Sequence, residues 1–108
     1  MRIERVYVAG PYTEDPIGCT AEAIAVGNTL LDLGFAPFIP HLAHYWDRLH
    51  TSRGYEDWMR LDLAWVTAAH AVYRMPGKSS GADREVKLAR SLSIPVVYSV
   101  AELQEACY

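Results

Sequence analysis

The chain has 108 residues, the size of one ordinary domain, so a single domain spanning residues 1–108 is expected. Apolar residues make up 51% and charged residues 21%, a globular composition with enough apolar side chains for one core. The net charge is -3 and no basic run stands out. This disfavours a nucleic-acid polymer as partner, because such affinity rests on clustered Lys and Arg, but leaves room for a small anionic ligand held by a few local donors.

The chain opens Met1-Arg2-Ile3-Glu4-Arg5 and runs at once into a strand-like segment, too short an apolar stretch for a leader. No segment approaches a membrane span. Cys19 and Cys107 lie far apart in sequence and read as reduced thiols, so a cytoplasmic protein is expected.

Residues 3–9 (IERVYVA) are β-rich and end at Gly10-Pro11, a turn signal; they predict a short buried strand. Residues 20–33 repeat apolar positions at helical spacing, with Thr20 as the expected N-cap and Gly34 as the C′ residue. Residues 35–40 (FAPFIP) predict a second strand with proline at its margins. Residues 41–54, rich in His and aromatics, read as a long irregular loop of the kind that carries function. A helix follows over 55–68, a strand over 71–75 closed by Pro76-Gly77, a helix over 81–92, a strand over 95–98 and a closing helix over 100–106.

Strands alternating with helices imply a parallel sheet with right-handed crossovers. The expected fold is a flavodoxin-like, doubly wound α/β sheet of about four strands in the order 2-1-3-4, with helices on both faces. Its ligand crevice belongs at the carboxyl ends of strands 1 and 3, where the order reverses. The loops at that edge are residues 10–19, 41–54 and 76–81.

Two carboxylates fall on apolar faces. Along residues 81–92, Ala82, Glu85, Leu88, Ala89 and Leu92 share one side of a helix, and Arg84, Lys87, Arg90 and Ser91 the other. Glu85 is the one charge on the apolar side, expected in the first turn. Helix-dipole stabilisation is an alternative account of it. However, Ser80-x-x-Asp83 looks like a capping box, so Asp83 already supplies a capping carboxylate. In the preceding helix Asp62 falls among Trp58, Leu61, Trp65 and Ala69. An inward carboxylate is costly unless something uses it. A pair of them suits glycosidic chemistry, in which one group attacks the anomeric carbon and another handles a proton.

Tyr7-Val8-Ala9-Gly10-Pro11, Asp62-Leu63-Ala64-Trp65 and Ser79-Ser80-Gly81-Ala82-Asp83-Arg84-Glu85, in that order and spacing, resemble the nucleoside 2-deoxyribosyltransferase superfamily. That group also holds the deoxynucleoside monophosphate N-glycosidases. Phe35–Tyr45 with Tyr55-Glu56-Asp57-Trp58 resembles its compact bacterial and phage branch, whose members are mostly of unassigned function. The resemblance implies Glu85 as nucleophile, Asp62 as the group that contacts sugar and assists leaving-group protonation, and Tyr7 as the hydroxyl that positions the nucleophile. It also implies that Gly10, beside Pro11, lets the backbone approach the ligand. Ser79, with Ser80 and Gly81 beside it, then stands where relatives bind a 5′-phosphate; a helix N-terminus suits an anion on physical grounds as well.

The resemblance further implies a nucleoside or nucleotide as ligand, no cofactor, and a homo-oligomer with sites near subunit interfaces. Two departures from the family pattern are His70 after Ala69, and the Asp83-Arg84 pair before Glu85, where Arg84 is either a solvent-face residue or a phosphate contact. The chain is also shorter than the transferases. Of the histidines, His41 and His44 are candidates for lining the crevice. His41-x-x-His44 alone, without cysteine or a second ligand pair, argues against a metal. Tyr45, Trp46 and Trp58 are either base-stacking or core residues. The expected activity is hydrolysis of a nucleoside 5′-monophosphate. Base exchange, a non-catalytic nucleotide-binding module and an assembly role using Tyr108 remain as alternatives.

Overall fold

A computed structural model of the chain describes residues 3–50 and 53–107, with the side chain of His44 outside the described set. The elements are β1 (Arg5–Ala9), α1 (Pro16–Asp32), β2 (Ala36–Phe38), a 3-10 turn (Pro40–Leu42), α2 (Ala43–Leu49), α3 (Tyr55–Val66), β3 (Ala71–Arg74), α4 (Ser80–Ser91), β4 (Val96–Val97) and α5 (Val100–Ala106). The strands form one parallel sheet in the order β2-β1-β3-β4, the expected flavodoxin-like arrangement.

Side chains alternate across a strand, and this divides the core into two layers. Val6 and Val8 of β1 pack with Ala23 and Leu30 of α1 and Leu103 of α5. Tyr7 and Ala9 point the other way, to Val66 of α3 and to Ala82, Val86 and Ala89 of α4. The same parity in β3 sends Val72 to the α3–α4 layer. Both faces are covered, which is why the strands read as nearly continuous apolar runs.

Gly34 ends α1 as expected. Its φ is +91°, Phe35 N–H donates to the Leu30 carbonyl and Gly34 N–H to that of Leu31. That is the Schellman pattern, which favours glycine at C′.

Three expectations are corrected. Helix α1 starts at Pro16, capped by Asp15, whose carboxylate accepts from Gly18 N–H at 3.1 Å. Proline at N1 opens a helix instead of breaking it. Thr20 is therefore not the cap but a buried residue inside the helix. The segment expected to be an irregular loop is largely helical, from Pro40 to Leu49. A seven-residue helix has little stability of its own; α2 is steadied by Trp46 packing edge-on against Trp58 of α3, with centroids 5.2 Å apart. Third, α4 is capped by Ser79, not Ser80: the Ser79 hydroxyl accepts from Ala82 N–H at 3.1 Å. Asp83 turns its carboxylate to Arg74 instead.

Candidate active site

The two candidate carboxylates come from adjacent helices, α3 and α4, over the strand that carries Tyr7. Glu85 is only 5% exposed, and Tyr7 only 1%. The Tyr7 hydroxyl donates to Glu85 Oε2 at 2.9 Å. Glu85 lies in the second turn of α4, not the first, because the helix starts at Ser80. Its carboxyl therefore draws on Tyr7, not on free helix N–H groups.

Burial, with the charge of Asp62, pushes the Glu85 carboxyl up to about 8, against the lowering effects of the Tyr7 hydrogen bond, Arg74 and Arg84. Burial alone raises Asp62 to about 6. Burial and the nearby Glu85 and Asp62 charges drive Tyr7 far above its ordinary range, so it stays a donor. The charge of Asp62 thus acts on both Glu85 and Tyr7, and at neutral pH burial favours the protonated form of Glu85 over that of Asp62. The sequence suggests an ionised Glu85; in the folded chain burial favours its protonated form.

Aromatic rings continue outward from this unit. Tyr7 stacks on Phe38 with centroids 5.7 Å apart, and Phe38 stacks on Trp65 at 5.5 Å. Trp65 is half exposed, so the stack runs from the buried glutamate to the surface. Tyr45 is exposed, whereas Trp46 and Trp58 pack on each other, and Trp58 Nε1 donates to Asp47 at 3.2 Å. The rings linked to Glu85 through Tyr7 are therefore Phe38 and Trp65.

The carboxyl-end loops are tied together. His41 is buried, and its Nε2 bonds the Pro11 carbonyl at 3.0 Å. Burial lowers its pKa, against the effect of that bond, so it is a neutral ring with Nε2 as donor. His41 therefore holds the Gly10–Pro11 loop from beneath instead of lining an open wall. A Cβ on Gly10 would sit 3.0 Å from that of Met75, and one on Gly77 would sit 2.6 Å from Pro11 Cγ. Gly77 also has φ +115°, which glycine alone adopts without strain. Ser79 is half-buried at the start of α4, Ser80 is exposed, and Gly81 lies against the Tyr55 hydroxyl and Met59. Arg84 is spent on Glu56, at 3.0 and 3.3 Å, over the face of Tyr55. That makes it the solvent-face residue of the two options.

Arg74 is the residue that sequence reasoning passed over. It ends β3, is 9% exposed, and donates to the carbonyls of Met75 and Gly77 and to Asp83. Its charge reaches Glu85. An arginine closing an otherwise apolar strand was the available signal. Among the described residues no cluster of three His, Cys, Asp or Glu could hold a metal ion, and no helix is long and apolar enough to cross a membrane.

The family profile described as a domain of unknown function, DUF4406, matches residues 4–98. The chain belongs to the DUF4406 family. No curated protein matches this DUF4406 chain. Among solved structures it is similar to a 2-deoxyribosyltransferase from Leishmania mexicana, with 20% identity, a TM-score of 0.65, and coverage of 86% of this chain and 61% of that one. It is also similar to the 2-deoxyribosyltransferase of Bacillus psychrosaccharolyticus, with 23% identity, a TM-score of 0.61, and coverage of 85% and 69%. The DUF4406 domain therefore has the flavodoxin-like fold of these enzymes, while spanning 61% of the length of the first.

Proposed function

We propose that the chain cleaves the N-glycosidic bond of a nucleoside 5′-monophosphate, with water as the final acceptor. The observation that carries this reading is the Tyr7–Glu85 hydrogen bond on a buried carboxyl that also feels the charge of half-buried Asp62. A glycosyl transfer with a covalent intermediate needs one carboxylate to attack and one acid to protonate the leaving base. One proton on the two carboxyls would meet both needs. When it moves from Glu85 to Asp62, Glu85 becomes the nucleophile and Asp62 the acid. Glu85 then attacks the anomeric carbon as Asp62 gives its proton to the departing base. Water, deprotonated by the Asp62 carboxylate, then opens the glycosyl ester and restores the pair. Tyr7 keeps the attacking carboxylate in line and spreads its charge.

The Phe38–Trp65 stack is the natural support for a base leaving beside Tyr7. The hydroxyls of Ser79 and Ser80, with the N–H groups opening α4, suit a 5′-phosphate, and the Gly10–Pro11 loop held by His41 bounds the sugar. Base exchange, in which a second base replaces water, is favoured by the names of the structurally similar enzymes. Exposed Leu42, Trp46 and Leu49 suit a homo-oligomer in which a neighbour helps to close each site. Free Cys19 and Cys107 fit a cytoplasmic setting.

The test is incubation with each common nucleoside and its 5′-monophosphate, with and without a free acceptor base, following base release by chromatography. Release without acceptor, lost in Glu85→Gln and accompanied in the wild type by a trapped glycosyl ester on Glu85, is the expected result. Release only with acceptor selects base exchange. Binding without turnover, unchanged in Glu85→Ala, overturns the enzymatic reading.

A further inference from the structure

On the flank of α4 opposite Tyr7 a cleft of about 560 Å³ opens among Arg74, Gly77, Asp83, Lys87, Arg90 and Tyr98. Glu85 does not line it; its side chain is turned to the β1 side of the helix. Three cations face the cleft against one carboxylate, in a chain whose net charge is -3. Asp83 is already engaged with Arg74 at 3.3 Å. Among the described residues neither Lys87 nor Arg90 has a carboxylate partner. Arg90 Nη2 donates instead to the Tyr98 hydroxyl at 2.8 Å, which leaves the phenol proton free to donate onward. Lys87 and Arg90 stand three residues apart on α4, and so on the same side of it. The remaining wall is apolar, built from Met75, Pro76 and Val86.

We infer that this cleft is a binding site for a phosphate monoester with a ring or apolar substituent. Lys87, Arg90 and the Tyr98 hydroxyl hold the phosphate, and Met75, Pro76 and Val86 receive the substituent. Several donors line the same cleft beside an apolar wall, and small-ligand sites combine orientation with affinity in this way. Arg74 forms the floor. Because its charge also reaches Glu85, an anion here sits one residue away from the carboxyl pair without touching it. The site is separate from the Ser79 end of the proposed substrate site and does not depend on catalysis.

The test is an NMR titration of the full chain with inorganic phosphate and with phenyl phosphate. Saturable shifts centred on Gly77, Val86 and Tyr98 are expected, with phenyl phosphate binding at least about ten-fold more tightly than inorganic phosphate. The double variant Lys87→Gln/Arg90→Gln and the single variant Tyr98→Phe alter exposed side chains. The double variant should weaken both probes by about ten-fold or more. Glu85→Gln and Ser79→Ala should bind within about two-fold of wild type, which separates this site from the proposed reaction. The inference is overturned if no saturable response occurs, if the double variant binds as wild type does, or if the shifts gather around Tyr7, Ser79 and Glu85.

Discussion

Replacing Glu85 by Gln tests the buried carboxyl through stability, independently of any substrate. Glutamine keeps an oxygen to accept from Tyr7 but cannot ionise. In the native chain the Glu85 carboxyl is raised from 4.5 to about 8, chiefly by burial. Between those values the folded chain holds a proton that the unfolded chain has lost. Stability must therefore fall as pH rises through this window and level off above about pH 8. At 1.36 kcal/mol per pH unit, the loss between pH 5 and pH 9 is about 4 kcal/mol. That is a large share of the roughly 5–15 kcal/mol typical of a domain. Asp62, raised to about 6, adds a smaller fall of the same sign that is mostly complete by neutrality. His41, lowered by burial, works in the opposite sense: it favours the fold above its unfolded value of 6.5 and costs stability as pH drops below it. The interval above pH 7 therefore belongs to Glu85. Urea unfolding of wild type and Glu85→Gln at pH 5, 7 and 9 measures it. The variant should lose most of the decline and be the more stable protein at pH 9. Parallel curves for the two proteins would refute the reasoning, because they would mean that the carboxyl ionises in the fold as readily as in water.

Three further outcomes follow from the same geometry. Base release should show a bell-shaped pH dependence with limbs near about 6 and about 8, because the singly protonated Asp62–Glu85 pair is the working form; a pH–rate profile of kcat/KM checks it. Tyr7→Phe removes the hydrogen bond that lowers Glu85, so the alkaline limb should move up and the rate should fall by about ten-fold or more. Stability should drop by roughly 1–2 kcal/mol from the unmatched carboxyl, readable in urea. Ser93 holds φ +59° at the end of α4, where Ile94 N–H bonds back to the Ala89 carbonyl. Ser93→Gly should therefore stabilise the chain by about 0.5–1 kcal/mol, measured as a shift in the urea midpoint without change in slope.

Sequence alone determined the alternation of strands and helices, the 2-1-3-4 order, the Gly34 stop of α1, and the two carboxylates on apolar helix faces. The elements, the stop and the faces follow from periodicity and backbone chemistry, which are local, and the strand order from the few topologies open to alternating strands and helices with right-handed crossovers. It did not determine that α2 is a helix, since the Trp46–Trp58 contact that steadies it is made between two separate helices and not within one. Nor did it reveal that Ser79 and Asp15 are the caps, because Ser80 and Thr20 offer the same hydroxyl chemistry close by. The protonation of Glu85, the burial of His41 under Pro11 and the position of Arg74 between Glu85 and the far cleft were decided only by tertiary structure. Desolvation and charge coupling depend on what surrounds a group in space, and residues 7, 62, 74 and 85 come within electrostatic range of one another only when β1, β3, α3 and α4 pack together.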